Sequence, residues 1–141
     1  MILLDTNVLS ALMHDPPDPS VVAWADGQVP EELWTTSISV FEIRFGLGRL
    51  SAGRRRRGLE AAFEGLLRED LGGRVAPFDS ASATAAGHLA ARRQAAGLTV
   101  DMRDTLIAGI ALACRAVVAT RNVRHFRDLE TGAVNPWAER R

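Results

Sequence analysis

Three acidic side chains lie where their neighbours are otherwise apolar. Asp5 follows the run Ile2-Leu3-Leu4, Glu42 shares the stripe Ile38, Phe41, Glu42, Phe45, and Asp104 shares helical spacing with Ile107, Ala108 and Ala111. The i, i+3, i+4, i+7 pattern of the second set marks an expected inward face, and an inward carboxylate requires a partner. Three such carboxylates brought together repel one another unless a cation lies between them. An all-oxygen donor set suits a hard ion, Mg²⁺ or Mn²⁺. His14, His88 and His125 lack zinc-ligand spacing and read as surface or packing residues.

Each acid also has an ordinary structural account. Asp5 can cap a helix that begins after Thr6 or Asn7, because a short polar side chain accepts backbone N–H bonds there. Ser39-Val-Phe-Glu42 has the spacing of a capping box. Asp101-Met-Arg-Asp104 reads as a helix N-terminus, where the macrodipole favours acids.

Composition removes several mechanisms. All 17 basic residues are arginine, so Schiff-base chemistry and a phosphate-loop lysine are excluded. Net charge is zero, which argues against a uniformly cationic nucleic-acid binder, yet the charge is segregated. Seven acids and no base precede Arg44, whereas six arginines and no acid fill Arg44 to Arg57. Cys114 is the only cysteine, so no intrachain disulfide or thiolate zinc site can form; it is expected to pack as a small hydrophobe. No basic segment precedes an apolar stretch at the N-terminus, and no apolar run approaches a bilayer span, so a cytoplasmic chain without a membrane segment is expected. Gly46-Leu-Gly48 lacks the third glycine of a dinucleotide loop and follows a helix pattern, which rules that motif out.

The elements that must position these acids alternate. Strands are expected at Met1 to Leu4, Leu33 to Ser37, Arg74 to Phe78 and Ala116 to Thr120. Helices are expected at Val8 to Met13, Pro19 to Asp26, Ile38 to Leu47, Arg54 to Leu71, Ser80 to Ala96 and Thr105 to Arg115. At 141 residues the chain suits one domain over 1–141. Such alternation implies an α/β fold: a mainly parallel sheet with helices on both sides, an α/β/α sandwich. Sites in such sheets lie beyond the carboxyl ends of the strands, where Asp5 and Thr120-Arg121-Asn122 fall. The run Arg54-Arg55-Arg56-Arg57 reads as a solvated helix start in preference to an RNA-contacting patch.

Four segments together resemble the PIN-domain family, in particular VapC-type and FitB-like toxins. They are Leu3-Leu4-Asp5-Thr6-Asn7-Val8-Leu9, the stretch Ser37 to Gly46, the stretch Asp104 to Ala111, and Thr120-Arg121-Asn122-Val123-Arg124-His125-Phe126. The resemblance implies Mg²⁺- or Mn²⁺-dependent cleavage of RNA, a homodimer, and inhibition by a cognate antitoxin whose segment covers the acidic cleft. It places the catalytic acids at Asp5, Glu42 and Asp104, with Asp5 and Asp104 as metal ligands. Many members carry a fourth acid in the last segment, where this chain offers Asn122 and His125; Asp101 is an auxiliary candidate. Thr6 and Thr120 are candidate polar positioners, and Arg121 and Arg124 candidate phosphate contacts. Two other readings compete. A phosphatase of the haloacid-dehalogenase type also opens with a strand ending in aspartate, but it wants a second acid two residues on, where Asn7 stands, and a later lysine. A non-catalytic binding module on a PIN fold would not need the three acids.

Overall fold

Ile2-Leu3-Leu4 is apolar on both sides of an extended segment and so needs cover on both faces. The computed structural model, which describes residues 1–138, provides it. Strand β1 (Ile2–Leu4) is the centre of a five-stranded sheet of order β3-β2-β1-β4-β5, with β2 (Leu33–Thr36), β3 (Val75–Ala76), β4 (Val117–Ala119) and β5 (Ala133–Val134). Every pairing is parallel. Leu4 and Ala119 enter one core and Leu3 and Val118 the other, as the two-residue period of a strand requires. Residues 139–141 of the single domain expected from the length lie outside the described residues.

Helices α1 (Thr6–Met13), α2 (Pro19–Asp26), α3 (Ser37–Gly48) and α4 (Arg54–Gly65) cover the first face, through Val8, Leu9, Val21, Ile43, Leu47 and Phe63. Helices α5 (Ser80–Ala95) and α6 (Met102–Cys114) cover the second, through Leu89, Ile107 and Ile110. The result is a three-layer α/β/α sandwich. Among the described residues no helix is long and apolar enough to cross a membrane.

Two expectations are overturned. The inward face of α3 is Ser39, Ile43 and Leu47, while Phe41 and Phe45 are exposed and stack on each other with centroids 6.1 Å apart. Glu42 therefore sits at the margin of the buried face instead of on an inward stripe. Cys114 is exposed, because it is the last residue of α6, where the helix leaves the core. Strand β5 went unforeseen; two residues carry too little periodicity to register.

From β1 the chain runs outward through β2 to β3, then returns to lay β4 and β5 on the other side. Connections diverge between β1 and β4, which leaves a crevice beyond their carboxyl ends. The register pairs Leu4 with Ala119, so Asp5 and Thr120 emerge side by side. Asp5 N–H donates to Ala119 O at 2.9 Å, closing the pair one residue past the ladder.

Helix α6 reaches this crevice because it lies very close to α5. A Cβ at Gly109 would stand 2.6 Å from both Ala86 Cβ and the Ser82 carbonyl oxygen, and a carbonyl cannot yield as a side chain can. Gly109→Ala is expected to destabilise the protein by about 1–3 kcal/mol through overpacking. Gly87→Ala, on the open side of α5 with nothing within 4 Å, is expected to be neutral or to stabilise by up to ~1 kcal/mol. Urea unfolding of the two variants tests the contrast.

Candidate active site

Asp5 is buried at the start of α1 and does two things at once. Its Oδ1 accepts from Thr6 N–H at 2.8 Å, as a helix cap should. Its Oδ2 accepts from the Thr120 hydroxyl at 2.7 Å. That hydroxyl is fully buried and in turn accepts from Asn122 N–H at 3.0 Å and Asn7 Nδ2 at 3.3 Å. Thr120 thus uses its one proton on Asp5, and the two incoming donors fix its direction.

Glu42 is not part of a capping box. Thr36 caps α3, accepting from Ser39 N–H at 3.1 Å, which leaves Glu42 Oε1 to accept from the Thr6 hydroxyl at 2.7 Å. Ser39 Oγ lies 3.1 Å from the same hydroxyl. Asp101 caps α6 by accepting from Asp104 N–H at 2.9 Å. That turn directs Asp104 inward, where Oδ2 is bonded to His125 Nδ1 at 2.7 Å and the buried Oδ1 has no hydrogen-bond partner. Burial pushes the Asp104 carboxyl above its ordinary range, against the opposing pull of Arg103 and His125.

The three carboxylates converge on Arg103. Its guanidinium lies 3.2 Å from Asp5 Oδ1, 2.7 Å from Glu42 Oε2 and 3.5 Å from Asp104 Oδ1. Only the Asp5 contact has hydrogen-bond geometry; the Nε–H is not aimed at Glu42, close as the two atoms are. As placed around the guanidinium, no three His, Cys, Asp or Glu among the described residues are grouped to hold a metal ion. The donor chemistry nevertheless fits a hard cation: three carboxylates face one positive charge, and Asp104 Oδ1 is buried without a donor.

A cleft of about 490 Å³ opens on the Asp104 side, with Arg93, Arg124, His125 and Arg127 in its lining. Thr6 and Glu42 line a second, smaller cleft. Arg103 touches an acid from each and stands between them. Arg124 lines the larger cleft. Arg121 does not line the cleft: its guanidinium lies 3.9 Å from the centre of the Trp137 ring, and its N–H donates to Asn7 Oδ1. Asn122 is half-buried, with its N–H held by Thr120.

One participant escaped the sequence reading and another has a partner that it did not foresee. His125, expected at the surface or in packing, is half-exposed yet bonded to Asp104. Arg103 was passed over because a cation in the first turn of a helix carries no motif. The turn that delivers His125 is anchored by Arg93, which is buried, forks onto Asp128 at 2.7 and 2.8 Å and donates to His125 O at 3.0 Å.

Two outcomes are expected. Thr120→Val removes the donor to Asp5 Oδ2 and should cost about 1–3 kcal/mol, with the fold retained by circular dichroism. Because the folded-state value for Asp104 is raised, its favourable contribution is complete below the unfolded value near pH ~3.9 and is lost as pH rises through the folded one. Asp104→Asn should therefore melt at a higher temperature than the wild type at pH 7 in EDTA, with the gap closing as pH falls towards 4. A lower melting temperature for the variant at pH 7 would contradict this.

The profile of the PIN domain matches residues 2–131. The chain is 39% identical to VapC ribonuclease Y4jK of Sinorhizobium fredii, over 97% of this chain and 98% of that protein. It is 32% identical to toxin FitB of Neisseria gonorrhoeae, over 97% and 99%. Among solved structures, FitAB bound to an IR36 DNA fragment aligns with a TM-score of 0.89 at 31% identity, covering 100% of this chain and 99% of the other. FitAcB from Neisseria gonorrhoeae aligns at 0.83 and 30%, covering 99% and 100%. The family match over residues 2–131, the identity to these relatives and the structural alignment agree, and the chain belongs to the PIN domain family.

Proposed function

We propose that this chain is a Mg²⁺- or Mn²⁺-dependent endoribonuclease and the toxin of a toxin–antitoxin pair. The observation that carries the reading is the convergence of Asp5, Glu42 and Asp104 on one cationic group at the switch point, beside an arginine-lined cleft. The identity to a VapC ribonuclease and to a FitB toxin supports it. An RNA substrate, a cognate antitoxin, a homodimer and a cytoplasmic location go with this reading.

Asp5 and Asp104, with Glu42 beside them, would hold a divalent ion, which would supply Lewis acidity toward a phosphate and lower the pKa of a water. The chain's own groups do the rest. Thr120 holds Asp5 in one rotamer, Thr6 does the same for Glu42, and His125 braces Asp104. Glu42, the least buried of the three, is the carboxylate placed to take the water's proton. Arg124 and Arg127 sit where successive phosphates would lie. Asn122 offers a neutral amide oxygen in the turn after β4; it can orient a ligand but adds no charge. The phosphatase reading loses further ground, because both ends of the Asn7 side chain are engaged, with Thr120 and with Arg121 N–H.

Cleavage of total RNA by the purified chain should require Mg²⁺ or Mn²⁺, stop in EDTA, and fall at least ~100-fold, about 2.7 kcal/mol, in Asp5→Asn and Asp104→Asn. Wild-type rates in either variant would refute the assignment. Arg124→Ala should weaken RNA binding and lower the salt dependence by about 0.7 in log–log slope, the value of one single-strand phosphate contact. Asn122→Asp should tighten Mn²⁺ binding without RNA, while Asn122→Ala should lose less activity than Asp5→Asn; calorimetry and cleavage assays on the same variants decide both.

A further inference from the structure

Arg103 stands in the middle of the acidic crevice, and the chemistry proposed above leaves it without a task. Its position is electrostatically awkward. It is the second residue of α6, where the macrodipole disfavours a cation, and its desolvation opposes its charge. The three carboxylates outweigh both. Yet of its three carboxylate contacts only the one to Asp5, at 3.2 Å, has hydrogen-bond geometry, the buried Nε has no hydrogen-bond partner, and the side chain is still one-third exposed.

A guanidinium is a broad planar fork, whereas Mg²⁺ demands oxygen ligands at ~2.0–2.1 Å. As they stand around the fork, the acids are not grouped to hold an ion. The same carboxylates cannot serve both cations at once. We propose that Arg103 is an internal competitor of the divalent cation: its guanidinium occupies the carboxylate site in the resting chain and must withdraw before an ion is bound. The proposal rests on the metal-dependent reading above and adds a gate to it. The side chain is already one-third exposed, which leaves it a way out towards solvent.

Calorimetric titration of the metal-free protein with Mn²⁺ tests this on wild type and Arg103→Gln. The variant is expected to bind at least tenfold more tightly and to melt at a lower temperature in EDTA. Equal or weaker Mn²⁺ binding by the variant overturns the competition while leaving the metal reading intact. No Mn²⁺ binding by either protein overturns both. Should Arg103→Gln fail to fold, the wild type answers alone through the ¹⁵Nε–H resonance of Arg103 during Mg²⁺ titration. Displacement predicts a shifted, faster-exchanging signal at saturation; a resonance that stays in place refutes the proposal.

Discussion

Two like charges 4 Å apart repel by about 4 kcal/mol at an effective dielectric near 20, and Asp5, Glu42 and Asp104 all face the same guanidinium. No hydrophobic packing cancels that repulsion; positive charge does, or a proton on one of the acids, the direction in which Asp104 is pushed. Each acid is therefore delivered by a different element, so that no single element carries more than one of them. Asp5 comes from the end of β1, Glu42 from the margin of α3 and Asp104 from the first turn of α6. The parallel sheet makes this possible by opening its crevice where the connections diverge.

Around the charges lies a layer of hydroxyls and amides that does the aiming. Thr6, Ser39, Thr120 and Asn7 contribute neutral groups whose protons are directed by neighbours, so the carboxylates are oriented without adding charge. Behind that layer, Arg93 and Asp128 pair at the edge of the core, each favouring the charged form of the other. Their pairing fixes the turn after β4, and with it the imidazole that meets Asp104.

Where pattern reflects burial, the sequence was easy to read. The apolar triplet before Asp5, the proline-led α2 and the α6 helix with its buried run Ile107 to Ala111 each have one interpretation, and the structure follows it. Where pattern is ambiguous, it misled. Phe41 and Phe45 look like core residues, but the spacing that places them together places Ser39, Ile43 and Leu47 on the opposite side, and these fill the space against α1 and α4. Asp5 illustrates why capping and site-building are not exclusive: one oxygen caps α1 and the other meets Thr120. Arg103 and the contact of His125 with Asp104 were invisible because their importance is purely spatial. Neither spacing nor residue type announces that a helix-start arginine and a half-exposed histidine meet acids from distant segments.

The bond from Thr120 to Asp5 joins residues separated by 115 positions. During synthesis the first carboxylate thus emerges from the ribosome long before the hydroxyl that orients it, and before α6 has brought Asp104 and Arg103 into place. An incomplete chain that stops short of β4 has neither the central strand beside β1 nor the donor for Asp5 Oδ2. Translation abandoned midway consequently yields fragments with the first acids in hand but no assembled centre, which forms only once β4 and Thr120 have been made.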